Sequence, residues 1–179
     1  LSSHTDILKY CNKWNQLGIK TFICKVDKIF GIKKLHKNSI EFNNDIDQLP
    51  EGYNFLGVKL GESGLMCLDV EGTNGSIQEF NRIIENSGLK IDDFFIEKTL
   101  NDGLHIYFRF NKKIKNQYGL KHGDMNFDLL FNGKSFSAPS KYQNKNYVFI
   151  NKSVFDLDSI NDIPEFPEKL IFLFHASNI

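Results

Sequence analysis

The chain is predicted to be an α+β protein with a mainly antiparallel sheet, because strand-like alternation outnumbers helical periodicity and turns of hairpin length join most of the strands. Ile7, Leu8, Cys11, Trp14 and Leu17 recur at helical spacing with Gly18 behind them, which predicts an amphipathic N-terminal helix ending on a glycine. A strand over Thr21 to Val26 is expected next. From Phe30 to Gly52 the pattern is irregular and polar and includes Pro50, so a long loop carrying short pieces of structure is expected there. Val58 to Leu60 and Leu65 to Val70 read as a hairpin around Gly61-Glu62-Ser63-Gly64. Ser76 and Glu79 have capping-box spacing, and Ile77, Phe80 and Ile84 followed by Gly88 predict a helix of about three turns.

The clearest strand follows. Leu104, Ile106, Phe108 and Phe110 alternate with His105, Tyr107 and Arg109, so one face is expected in the core and the other is polar. Phe127, Leu129 and Phe131 then point one way while Asn126, Asp128 and Leu130 point the other. Asn132-Gly133 supplies a type I′ hairpin turn returning the chain through Lys134 to Ala138. A further strand is expected over Asn146 to Ile150, and a closing helix over Phe166 to Phe174 with Pro167 in its first turn. No internal repeat or low-complexity segment is present.

A length of 179 residues with 41% hydrophobic content suits one domain spanning 1–179. Formal net charge is zero and the pI is about 7.1, so bulk charge gives no reason to expect nucleic acid or an anionic membrane. Binding of that kind must come from local patches. One holds Lys20, Lys25, Lys28, Lys33, Lys34 and Lys37, opposed only by Asp27; another holds Arg109, Lys112, Lys113, Lys115 and Lys121. Read singly, each is an ordinary solvated surface. Cys11, Cys24 and Cys67 are odd in number and lack CxxC spacing, which argues against a disulfide framework and a zinc site and favours a reducing compartment. No membrane-length apolar run or signal region is visible, so an intracellular, cytoplasmic protein is expected. The start at Leu1 without methionine, and an end just after an apolar helical stretch, read as a fragment of a larger protein.

Asp69 and Glu71 close the apolar run Leu65-Met66-Cys67-Leu68, and a strand turns two such residues to one face. Paired carboxylates repel unless a cation joins them, and oxygen ligands suit Mg²⁺ or Mn²⁺. The bland alternative is a strand ending in a solvated acidic turn. Taken alone, His105 reads as a hydrogen-bonded structural histidine and Asp128 as an edge-strand charge. If the three strands share one sheet, however, the groups converge, and three carboxylates can hold two divalent ions for an in-line phosphoryl displacement. A histidine and an arginine beside them would receive a polyphosphate.

These residues resemble a family. The run from Leu56 to Glu71, Leu-Gly-Val-Lys-Leu-Gly-Glu-Ser-Gly-Leu-Met-Cys-Leu-Asp-Val-Glu, is similar to the first motif of the bifunctional primase-polymerase domains of the archaeo-eukaryotic primase superfamily, a glycine turn leading to acid-x-acid. Thr99 to Arg109 resembles the second, a small-residue turn leading into a histidine strand. Asn126-Phe127-Asp128-Leu129 resembles the third, and Ser137-Ala138-Pro139-Ser140 with Tyr147 a fourth stretch. The resemblance implies an RNA-recognition-motif-like catalytic sheet packed beside an N-terminal αβ unit. It also implies catalytic metal binding by Asp69, Glu71 and Asp128, and contacts to the incoming nucleotide from His105, with Arg109 and Ser140 as further candidates. Two Mg²⁺ or Mn²⁺ ions, a nucleoside triphosphate, a DNA template and primer, and a helicase domain in the same polypeptide are the implied cofactors and partners. Asp102 stands where the family usually has glycine, and no Cys–His cluster is available for zinc.

Template-directed nucleotidyl transfer, in replication of a plasmid, virus or mobile element, is therefore the expected activity. A metal-dependent nuclease also needs clustered acids, but the acid-x-lysine element is missing because Glu97 and Lys98 are adjacent. A non-catalytic DNA-binding initiation module is the other alternative; single-strand binders rely on stacking platforms and a positive groove.

Overall fold

The expected amphipathic segment forms helix α1 (Ser3–Gln16), and Gly18 takes a left-handed φ of 85° as the chain leaves it. The structure is a computed structural model describing residues 3–30, 33–73, 75–112 and 114–178. Strand β1 (Thr21–Phe30) extends beyond the expected Val26, and β2 (Lys33–Glu41) pairs with it antiparallel, where a long loop was anticipated. The reason lies in position. β2 is the edge of its sheet, where a lysine-rich sequence without apolar alternation is favoured because it discourages pairing with other chains.

After β3 (Phe55–Lys59) the chain makes a tight turn in which Gly61 N donates to Leu65 O at 3.0 Å and Gly64 N to Gly61 O at 2.8 Å, then enters β4 (Leu65–Val70). The turn is present but the hairpin is not. Helix α2 (Ser76–Asn86) and strands β5 (Phe95–Lys98), β6 (Leu104–Arg109), β7 (Gln117–His122), β8 (Met125–Leu130) and β9 (Lys134–Ser137) follow. A short ribbon, β10 (Lys141–Tyr142) with β11 (Lys145–Asn146), precedes β12 (Val148–Ile150), and β13 (Ser177–Asn178) closes the chain. The order β2-β1-β3-β9 makes a four-stranded sheet, and β12-β5-β6-β4-β8-β7-β13 a seven-stranded one, with antiparallel pairing throughout both.

The chain therefore changes sheets three times, from β3 to β4, from β8 to β9, and from β9 through the β10–β11 ribbon to β12. Asn132-Gly133 does turn the backbone, with Gly133 at φ 81°, but β9 pairs with β3 rather than with β8. Leu60 N donates to Gly133 O at 2.8 Å, tying the first two crossings together. Turn residues dictate a local reversal; which edge a strand then joins depends on burial. Both faces of β3 and β4 are covered, so each reads as a nearly continuous apolar run.

The same coverage corrects the expected polar face of β6. Tyr107 is fully buried in a core shared by both sheets, where Trp14 of α1 meets Phe95 and Tyr107 edge-on at 5.9 Å in each case. On the opposite face, Met66, Leu68, Ile106, Phe108, Phe127 and Leu129 pack beneath Phe80 and Ile84 of α2.

Nor does Ser76 form a capping box. The residue capping α2 is Gly75, and the Ser76 hydroxyl accepts instead from Asn126 N at 3.0 Å. The Glu79 carboxylate pairs with Arg82 and accepts from Asp124 N at 3.2 Å, so both side chains clamp α2 to the turn between β7 and β8. The closing segment is a 3-10 helix over Glu168–His175 with Pro167 at its cap. The expected Asn146 to Ile150 strand is divided between β11 and β12. Strands β5 and β7 carried no usable pattern: one spans four residues, and the other buries only Leu120.

Candidate active site

Four titratable side chains stand in one row across the seven-stranded sheet. Asp69 on β4 is the register partner of His105 on β6 and, on its other side, of Asp128 on β8; His105 is in turn the partner of Glu97 on β5. Directly opposed residues share a face, so these groups project together toward the four-stranded sheet. Exposure rises along the row. Glu97 is 0% exposed and His105 6%, whereas the Asp69 side chain is 33% exposed.

His105 sits between two carboxylates. Its Nδ1 lies 3.1 Å from Glu97 Oε1, and its Nε2 lies 3.6 Å from Asp69 Oδ1, close enough for attraction but too long for a hydrogen bond. Burial alone would push the imidazole pKa down, but the negative charges of Asp69 and Glu97 prevail and hold it up at about 10. Burial pushes Asp128 up from the ordinary carboxylate range; Asp69 and Glu71 add to this by repulsion, while the Gly119 N–H, donating at 2.8 Å, draws it back.

Glu71 lies exposed just beyond β4, its backbone N–H donating to Asn126 O at 3.0 Å. Two glycines let the loops close around it. A Cβ at Gly72 would stand 2.1 Å from Asn101 O, and one at Gly103 would stand 2.5 Å from Val70 O, so the turn before β6 presses against the end of β4. Asp102, in the glycine-like position of that turn, has φ 63° and points its carboxylate to Lys98 at 3.7 Å.

The donor set suits a hard divalent cation. Asp69, Glu71 and Asp128 offer carboxylate oxygens whose repulsion a cation would relieve, and Asn126 Oδ1, on the same strand face as Asp128, is buried without a hydrogen-bond partner. Among the described residues, no three acidic, histidine or cysteine side chains are gathered into a finished cage. Asp69 and Asp128 are neighbours in the ladder, and Glu71 lies just beyond it.

Two expected residues lie elsewhere. Arg109 Nε donates to Ile163 O at 2.7 Å and its Nη1 reaches Glu165 at 3.5 Å; four residues along β6, it is roughly 13 Å from His105. Ser140 is fully buried, with Oγ accepting from Leu56 N at 2.7 Å and donating to Leu56 O at 3.2 Å, so the hydroxyl braces β3. In the basic stretches, Lys37 pairs with Asp27 at 2.7 Å and Lys25 lies over the Tyr53 ring at 5.8 Å. Lys113 and the side chains of Lys33 and Lys34 lie outside the described residues.

Glu97 is the site residue that sequence reasoning missed. Beside Lys98 it looks like half of an exposed ion pair. Its only signal was two-residue spacing from the apolar Phe95, which places it on a core-facing side of the strand.

An antiparallel sheet of this layout, with acids and a histidine at its centre, is an α+β primase-like fold. The family model for the bifunctional DNA primase/polymerase N-terminal domain matches residues 32–169, and the chain belongs to that family. It is thus a domain of primase/polymerase type, associated with DNA replication and nucleotidyl transfer. No curated protein matches the chain. Among the described residues, no helix is long and apolar enough to cross a membrane.

Proposed function

We propose that the chain catalyses template-directed nucleotidyl transfer, extending or starting a strand on a DNA template in the replication of a plasmid, virus or mobile element. The observation that carries this reading is the position of Asp69, in register with both His105 and Asp128. Asp69, Glu71 and Asp128 would hold two Mg²⁺ or Mn²⁺ ions. When bound, such ions supply Lewis-acid activation of a hydroxyl nucleophile and neutralise charge on the leaving pyrophosphate.

The chain's own groups do the rest. His105 Nε2 makes no hydrogen bond to Asp69 at 3.6 Å, so its N–H is available to a phosphate oxygen of the incoming nucleoside triphosphate. The held positive charge suits that polyanion. The loop between β5 and β6 packs against the end of β4 beside Glu71, and exposed lysines would attract the template backbone with an affinity that falls as salt rises. A helicase domain in the same polypeptide is a further proposed partner.

The test is incubation of the protein with a primed template, deoxynucleotides and Mn²⁺. Lengthening of the primer is expected; shortening would point to a nuclease, and retention of DNA without chemistry to a binding module.

A further inference from the structure

We propose that Glu97 is a positioning residue of this site, holding His105 with its proton on Nδ1 and its Nε2 turned toward the open end of the row; the inference rests on the assignment of His105 to the nucleotide phosphates. Glu97 is fully buried, and its carboxylate is filled. Oε1 accepts from the Tyr107 hydroxyl at 2.7 Å and faces His105 Nδ1 at 3.1 Å. Oε2 accepts from Ser137 Oγ and Ala138 N, both at 2.8 Å. An ionised carboxylate has about four acceptor sites and no donor, so all four are used and Nδ1 must bring the proton.

That fixes the proton on Nδ1, alongside the N–H that Nε2 presents to phosphate. A histidine protonated on Nδ1 against a fixed acceptor presents Nε2 in one direction only, and the partner of the far nitrogen sets how the near one is used. Ser137 ends β9 of the four-stranded sheet and Ala138 follows it, whereas His105 belongs to the seven-stranded one. The aim of the imidazole is thus set by a contact between the two sheets. A carboxylate serving merely as a pin between β5 and β9 would not need its fourth acceptor site turned to the histidine.

The experiment begins with the wild-type chain, free of metal. Long-range ¹H–¹⁵N NMR of His105 is expected to show a protonated Nδ1; a neutral ring protonated only on Nε2 would overturn the proposal. Glu97→Gln keeps the shape but cannot accept at four sites, and should raise the nucleotide KM about tenfold with a smaller change in kcat, as when the partner orienting a functional histidine is lost. Its Mn²⁺ affinity should stay within about twofold of wild type, and the E97Q/H105Q double variant should be no worse than H105Q alone. Ser137→Ala removes one of the two donors to the oxygen away from His105, leaves Ala138 N to hold it, and should raise KM less than E97Q does. Additive losses in the double variant, or equal KM changes in E97Q and S137A, would assign Glu97 a purely structural role. If E97Q does not fold, the wild-type spectrum still decides. A wild-type chain that shows Nδ1–H but extends no primer overturns the polymerase reading and the kinetic role of Glu97 with it.

Discussion

Asp69 and Asp128 are register partners on the adjacent central strands β4 and β8, and each adds to the negative potential at the other. Two carboxylates in this relation favour a bound cation, and without one they oppose folding. Asp69→Ala should therefore reduce primer extension more than about a hundredfold while the protein stays folded, since the loss removes a metal-holding group rather than a packing contact. Near-normal extension by a folded variant would remove Asp69 from the metal site.

Asp128 gives a stability prediction of the opposite sign. Its folded pKa is raised, so the native state favours the protonated form; that contribution is fully present below the ordinary value of 3.8 and is lost as pH rises through the higher folded value. In EDTA at neutral pH, Asp128→Asn should consequently melt at or above the wild-type temperature, with the advantage disappearing in acid. A lower Tm for the variant at neutral pH would show that Asp128 is not under repulsion.

The His105 imidazole pKa is raised to about 10, which burial opposes and Asp69 and Glu97 produce. The stabilisation it contributes is complete below about pH 6.5 and is lost as pH climbs toward 10. Urea unfolding in EDTA should show wild type losing stability relative to His105→Gln across that window. The same variant should raise the nucleotide KM more than it lowers kcat.

Ser140→Ala separates bracing from nucleotide binding. The hydroxyl serves both backbone groups of Leu56, so the variant should lose about 1–3 kcal/mol of stability through unsatisfied buried groups. Its nucleotide KM should match wild type; a rise in KM without loss of stability would return Ser140 to the binding site.

Gly103→Ala tests the closure around Glu71. A Cβ would stand 2.5 Å from Val70 O, a backbone atom that cannot swing aside, so a loss of about 1–3 kcal/mol is expected by chemical denaturation, together with weakened Mn²⁺ binding. Unchanged stability and metal affinity would show that the turn before β6 can retreat from β4 without consequence.

The motif residues were legible because their chemistry is local. His105 and Asp128 each lie in a strand of alternating sequence, Asp69 closes an apolar run, and register then brings the three side by side. The class, α+β with antiparallel pairing, followed from the same alternation, as did α1 and the extent of α2. Three misreadings share one cause: Asn132-Gly133 and the Gly61 to Gly64 turn specify that the chain reverses, and Ser76 and Glu79 that polar atoms need partners.

Which strand, which partner and which backbone are chosen depends on long-range burial, absent from any short window. Glu97 shows this most sharply. Beside Lys98 it is an ordinary acidic residue; only the meeting of β5, β6 and β9 surrounds it with four donors and makes its charge tolerable in the interior. Sequence alone determined the class of fold and put Asp69, His105 and Asp128 on strands, because strand periodicity and motif order are local properties. The tertiary structure decided the two-sheet topology, the bracing role of Ser140 and the buried carboxylate behind His105, because hydrogen bonds between distant strands form only when hydrophobic burial brings them together.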